Sequence, residues 1–66
     1  MNKLNYTPME ARAALGISSS EIFRLLESGE IPAYKISRNW KIPVKALIEW
    51  NDDRGKKEAK ERKEKN

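Results

Sequence analysis

Residues 7–29, TPMEARAALGISSSEIFRLLESG, contain two helix starts and two helix ends in close succession. The first start is the run Thr7-Pro8-Met9-Glu10, which places a hydroxyl at the N-cap, proline at the first helical position and glutamate at the third. Gly16 ends this helix, because glycine tolerates the left-handed conformation that follows a helix. The pattern predicts a helix over residues 8–15, with a buried stripe formed by Ala11, Ala14 and Leu15.

The pattern then restarts after a connection of about three residues, which is typical of a helix-turn-helix. Ser18 is placed to cap the second helix, and Glu21 stands three residues later, so a second capping box is predicted. Gly29 ends this helix after about Ser28. So short a turn cannot leave the two helices side by side, and they must cross steeply. The second helix has one apolar face, formed by Ile22, Leu25 and Leu26.

Downstream of Gly29 the hydrophobic period changes from 3.6 to 2, which indicates strands. Residues 31–36 and 40–42 are separated by Ser37-Arg38-Asn39, where Asn39 can adopt a positive φ. We therefore predict a two-stranded hairpin. Its predicted inner face comprises Tyr34, Ile36, Trp40 and Ile42, and its outer face and tip carry Lys35, Arg38 and Lys41.

A third helix is predicted to begin with Pro43 at its first position. The 3.6 period returns in Val44, Leu47, Ile48 and Trp50. Residues 51–66 hold Ala59 as their only apolar side chain, so this charged tail is either disordered or a solvated helical extension. The predicted organisation is a domain over residues 1–50 and a tail over 51–66. The predicted class is mainly α with a small β-hairpin, a winged helix-turn-helix in the order helix, helix, hairpin, helix.

The composition excludes several classes of protein. The 66 residues include no cysteine and no histidine, so disulfides, Cys/His zinc sites and the usual nucleophile and base pairs cannot be built. We expect no enzymatic activity and no cofactor. A net charge of +4 favours a polyanionic partner such as nucleic acid. No apolar stretch has the length of a signal peptide or a membrane span, so we expect a cytoplasmic protein without a membrane partner.

The second helix is the candidate DNA-recognition helix, because the major groove admits an α-helix. Its exposed side offers hydroxyls, an aromatic ring and a guanidinium, from Ser19, Ser20, Phe23 and Arg24. The candidate wing contacts are Lys35, Arg38 and Lys41, three basic residues around a turn without an acid. Arg24 could instead pair with Glu21 or Glu27, and Glu21 could serve mainly as a capping residue. The periodicity of Trp40 and Trp50 favours core packing over stacking on bases.

Several short motifs, in their order, resemble the excisionase-family DNA-binding domain of the MerR-like winged-helix superfamily. They are Tyr6-Thr7-Pro8-Met9-Glu10-Ala11, Leu15-Gly16-Ile17-Ser18, Ile22-Phe23-Arg24-Leu25-Leu26, Gly29-Glu30-Ile31-Pro32-Ala33-Tyr34, Trp40-Lys41-Ile42-Pro43 and Ala46-Leu47-Ile48-Glu49-Trp50. The resemblance implies a small DNA binder, and by position it assigns DNA contacts to the same second-helix and wing residues. Many members carry a basic residue just after the N-cap of the second helix, where this chain has Ser19.

The function expected from these features is sequence-specific binding of double-stranded DNA. The resemblance implies an excisionase-like recombination directionality factor, which bends DNA and biases an integrase, or a small transcription regulator. Cooperative self-association on adjacent sites is expected for so small a domain. Two alternatives remain open: an adaptor that docks an integrase or a polymerase, and a phage module for DNA packaging.

Overall fold

The computed structural model describes residues 3–64; residues 1, 2, 65 and 66 of the predicted domain and tail lie outside it. Within this range the chain forms three helices and three short strands. In chain order they are β1 (Asn5–Tyr6), α1 (Pro8–Leu15), α2 (Ser19–Glu27), β2 (Tyr34–Ile36), β3 (Asn39–Pro43) and α3 (Val44–Glu64). The predicted class is confirmed: the fold is mainly helical with a small antiparallel hairpin, as in a winged helix-turn-helix.

Local capping interactions fix both ends of α1. The Thr7 side chain accepts a hydrogen bond from the Glu10 backbone N–H at 3.2 Å, and the Glu10 carboxylate accepts one from the Thr7 N–H at 3.0 Å. Gly16 follows the helix with φ of 71°.

Ser18 caps α2 by accepting from the Glu21 N–H at 3.2 Å. The second capping box is only half formed, because the Glu21 carboxylate accepts hydrogen bonds from Arg24 instead.

The core lies where the helices meet the sheet. Its buried side chains are Ala11, Ile22, Leu25, Leu26, Ile31, Ile42 and Leu47. Two helical residues that were predicted to pack in the core are exposed, Ala14 of α1 and Ile48 of α3. The buried stripe of α1 is narrower than expected, because Ala11 is buried but Leu15 is only half-buried. Arg12 is also half-buried, and its guanidinium donates to the Ile17 carbonyl at 2.9 Å across the turn.

The sheet contains a strand that the hydrophobic pattern did not predict. Its order is β1-β3-β2, and all pairs are antiparallel. Asn5 lies opposite Pro43, and Tyr6 lies opposite Ile42. β1 has only two residues, which is too short for an alternating pattern to be visible in the sequence.

The turn of the hairpin differs from the prediction. Positive φ angles occur at Ser37 (49°) and Arg38 (70°), whereas Asn39 is the first residue of β3. Two consecutive positive φ angles are typical of a type I′ turn, whose twist suits a hairpin. Ile36 therefore pairs with Asn39 and not with Trp40.

This one-residue difference in register moves two side chains to the other face. Tyr34 lies opposite Lys41 and Lys35 lies opposite Trp40, so Tyr34 and Ile36 do not share a face with Trp40. The predicted inner face is wrong for these two residues, which are 45% and 54% exposed. Lys35, predicted on the outer face, instead shares the face of Trp40, with its Nζ 4.7 Å from the ring centroid.

The third helix continues without a break through the predicted tail. Pro43 is the last residue of β3 and precedes the helix, whereas we predicted it as the first helical residue. The Val44 N–H donates to the Leu4 carbonyl at 3.0 Å, which ties the start of α3 to the segment before β1. At 21 residues α3 is about 32 Å long, and beyond Trp50 the side chains described are exposed except for the half-buried Ala59. Neither α3 nor any other helix in residues 3–64 is long and apolar enough to cross a membrane.

Candidate nucleic-acid interface

The solvent-facing side of α2 carries the four residues predicted for the recognition helix. Ile22, Leu25 and Leu26 face the core and are almost fully buried. Helical periodicity then leaves the other arc in solvent. The side chains on that arc are all exposed, and they are Ser19, Ser20, Phe23 and Arg24.

The hairpin of β2 and β3 forms the wing of the domain. A shallow cavity of about 290 Å³ lies between α2 and this wing. It brings Phe23 of the helix together with Arg38 and Lys41 of the hairpin, although these residues are distant in sequence. Its remaining lining residues are Thr7, Pro8, Asn39 and Trp40. The lining includes two cations and no carboxylate. This cavity can therefore bind a polyanion beside the ring of Phe23.

Lys35, the third predicted wing residue, does not line this cavity. Its ammonium lies over the ring of Trp40, in a cation–π arrangement, and Trp40 itself lines the cavity. Lys35 thus adds positive charge beside the cavity from the edge strand β2.

Arg24 lies in a network of exposed carboxylates. Its Nε donates to Oε1 of Glu21 at 3.2 Å, and its Nη2 donates to the same oxygen. Its Nη1 donates to Oε2 of Glu30 at 3.3 Å, and the Ser28 hydroxyl donates to that oxygen at 3.0 Å. The hydrogen bond from Arg24 lowers the pKa of Glu21, and the same bond raises the pKa of Arg24. Both groups are therefore charged across the physiological range.

Glu30 was not predicted from the sequence as a member of this network. It reaches Arg24 because the chain reverses at Gly29, where φ is 80°. The Glu30 N–H donates to the Leu25 carbonyl at 3.1 Å and the Gly29 N–H to the Leu26 carbonyl at 3.2 Å. These two bonds form a Schellman motif. The Ser-Gly-Glu run after an amphipathic helix was the signal that could have identified this arrangement.

The side of α2 away from the wing cavity faces α3 and has mixed charge. A groove of about 370 Å³ has apolar walls from Leu15, Ile17, Leu25 and Trp50, and its other lining residues are Glu21, Asn51, Arg54, Gly55 and Glu58. Arg54 lies 5.4 Å from the Trp50 ring centroid and 3.9 Å from Glu58 Oε1. The Arg54 charge also contributes to the lowered pKa of Glu21. The recognition-helix candidate thus has a basic flank at the wing and a mixed flank at α3.

A family model described as "Helix-turn-helix domain" matches residues 6–54. The chain belongs to this helix-turn-helix domain family. The match begins in β1, includes both helices of the motif and the wing, and ends within α3. Comparisons with curated proteins and with solved structures gave no significant match.

Membership of this family indicates a DNA-binding domain. The helix-turn-helix domain is a DNA-binding fold, and its second helix is the one that enters the major groove. In this chain the second helix is α2. The exposed arc of α2 is therefore the candidate DNA-contact surface.

Proposed function

We propose that this helix-turn-helix protein binds double-stranded DNA sequence-specifically, without catalysis, as an excisionase-like recombination directionality factor or a small transcription regulator. The observation that carries the proposal is the wing cavity, where Phe23 of α2 meets Arg38 and Lys41 without a carboxylate. A helix in the major groove beside a basic wing contacts base edges and phosphates together.

Each predicted residue has a role that its chemistry supports. Ser19 and Ser20 lie in the first turn of α2, where hydroxyls and the helix N-terminus favour phosphate or base-edge acceptors. Phe23 packs against a thymine methyl group or a sugar. Arg24 binds guanine O6 and N7 with two N–H groups. Arg38 and Lys41, supported by Lys35, contact phosphates or the minor groove.

The salt dependence of binding tests the electrostatic part of the proposal. Neutralising about four to six phosphates gives a slope of roughly −4 to −5 for log K against log salt. Purified protein is titrated by fluorescence anisotropy onto random duplex and onto a site obtained by selection. Arg38→Ala together with Lys41→Ala is expected to reduce the magnitude of the slope by about two. Lys45→Ala with Lys60→Ala is the matched control, because both are exposed lysines of α3 outside the cavity.

The same titration separates DNA binding from the adaptor hypothesis. An adaptor that docks an integrase or a polymerase without touching DNA does not bind random duplex at low salt. A flat salt response, or an equal loss in the wing and control variants, would contradict the proposed interface.

The two proposed biological roles differ in how the DNA is occupied. An excisionase-like factor fills adjacent sites cooperatively and bends the duplex, and it has an integrase as partner. Footprinting and gel shifts with circularly permuted sites measure both properties. Cooperative occupation with bending supports the recombination role, and a single unbent site supports the regulator.

A further inference from the structure

We propose that Glu21 and Glu30 are positioning residues that make Arg24 select a base edge over a phosphate. This inference rests on the proposed function and specifies how its recognition helix discriminates between DNA sites. The observation behind it is that one exposed arginine of the DNA-facing helix is held by two carboxylates, one from the same helix and one from the turn after it.

The hydrogen bonds to Glu21 and Glu30 leave two N–H groups of Arg24 without an acceptor within residues 3–64. A guanidinium has five N–H groups. Glu21 accepts from Nε and Nη2, which is one side of the fork, and Glu30 accepts from Nη1. One hydrogen on each of Nη1 and Nη2 remains. Two N–H groups are what a bidentate bond to guanine O6 and N7 requires.

The charges decide which acceptor suits the remaining donors. The guanidinium is already compensated by two carboxylates, and a phosphate that approached it would also face both negative charges. A guanine edge carries partial charges only, so the carboxylates penalise it much less. The network therefore weakens nonspecific binding, which depends on phosphates, more than it weakens binding to a matched site.

Hydrogen bonds within the turn after α2 hold Glu30 in place. The Ser28 hydroxyl donates to the Glu30 carboxylate, and the Schellman bonds fix the backbone of the same turn. Glu30 is thus ordered before DNA binds, and Arg24 loses less side-chain freedom on binding. The 55% exposure of the Arg24 side chain leaves it accessible to DNA.

Glu30→Gln tests the inference, because it removes one carboxylate charge without touching the N-cap of α2. Glu27→Gln is the matched control: Glu27 lies exposed on α2, and its carboxylate forms no hydrogen bond or ion pair among the described residues 3–64. For Glu30→Gln we expect the affinity for random duplex to rise by about two- to fivefold more than for the control, the range typical of one exposed ion pair. The salt slope is expected to steepen by up to about one, since Arg24 becomes available to a phosphate.

The ratio of the affinities for selected and random duplex is the decisive readout, because a merely structural role would not change it. Glu30→Gln is expected to lower this ratio, and Glu27→Gln is expected to leave it unchanged. In an Arg24→Ala background, Glu30→Gln is expected to have no further effect on the ratio. Melting curves by circular dichroism establish that each variant is folded.

Three results would overturn the inference. They are equal behaviour of Glu30→Gln and Glu27→Gln, a ratio that rises in Glu30→Gln, and an effect of Glu30→Gln that persists in the Arg24→Ala background. Failure of the wild-type protein to bind either duplex at low salt would overturn the proposed function itself. Wild-type binding with an unchanged ratio in the variant overturns this inference alone.

Discussion

Replacing Arg38 with glycine is expected to stabilise the fold and to weaken DNA binding at the same time. Arg38 lies at the tip of the hairpin with φ of 70°, in the left-handed region that favours glycine. It also lines the cavity proposed to contact DNA. The conformational role of this position is therefore measured by the stability of the variant, and the role of its charge by the DNA binding of the variant.

The expected stabilisation follows from two opposing terms. A non-glycine residue in the left-handed conformation costs about 1–2 kcal/mol, which Arg38→Gly removes. Glycine increases the entropy of the unfolded chain, which costs about 0.4–1 kcal/mol. Taken at the midpoints of these ranges, the two terms leave a net gain of about 0.8 kcal/mol. For a domain of this size the melting temperature should then rise by about 3–6 °C.

Asn39→Gly is the matched control for this experiment. Within Ser37-Arg38-Asn39, the sequence predicted the positive φ at Asn39. Asn39 lies instead in β3, opposite Ile36. Glycine within a strand is destabilising by about 0.5–1 kcal/mol. The two neighbouring glycine variants should therefore change the free energy of unfolding in opposite directions.

Thermal and chemical denaturation measure the stability of both variants, and anisotropy titrations measure their DNA binding. Arg38→Gly is expected to reduce the magnitude of the salt slope by about one, as for the loss of one phosphate contact. If Asn39→Gly stabilises the protein and Arg38→Gly destabilises it, the turn spans residues 37–39. That result would restore the register in which Ile36 pairs with Trp40, and it would refute the placement of Tyr34 and Ile36 on the face opposite Trp40.

Three further predictions concern the core, the sheet and the first capping box. Ile22→Val should lower the free energy of unfolding by about 0.5–1.5 kcal/mol, because Ile22 is fully buried; an unchanged denaturation midpoint would contradict its place in the core. Ile36→Thr should change the free energy of unfolding by less than about 0.5 kcal/mol, because the side chain is largely in solvent, and a larger loss would indicate the inward-facing register. The pKa of Glu10 is lowered from its usual 4.5, mainly by the hydrogen bond from Lys3 and next by the Thr7 N–H. The stability that Glu10 contributes is therefore present above pH 4.5 and is lost as the pH falls through the lowered pKa. Glu10→Gln should flatten this acid limb of a pH–stability curve, and an identical limb would count against the hydrogen bonds that Glu10 accepts from Lys3 and Thr7.

The helices were predictable from the sequence because the interactions that bound them are local. The capping residues of α1 lie three positions apart, and the glycines that follow α1 and α2 satisfy orphan carbonyls within the last helical turn. The apolar face of α2 was equally clear, because Ile22, Leu25 and Leu26 recur at the helical period. The exposed arc, with Phe23 and Arg24, follows directly from that face.

The geometry of the candidate interface could be predicted only in part. The sequence predicts DNA contacts from α2 and the wing, which stays a prediction, but it did not indicate that Lys35 would lie over Trp40 while Arg38 and Lys41 share a cavity with Phe23. That grouping depends on the hairpin register, and the register depends on a turn without its usual Asn-Gly signal. The sequence indicated Glu21 and Glu27 of the same helix as possible partners of Arg24. It did not indicate Glu30, which lies beyond the helix and reaches Arg24 only because the chain turns at Gly29.

The sequence by itself determined the order of the helices and the hairpin, the ends of α1 and the cap of α2, because each of these depends on residues a few positions apart. The basic charge and the lack of cysteine and histidine are likewise properties of composition alone. Only the tertiary structure decided the pairing of β1 with β3, the faces of Tyr34 and Ile36, and the approach of the wing to α2. These features join residues far apart in the chain, and a shift of one residue in a strand reverses every side chain in it.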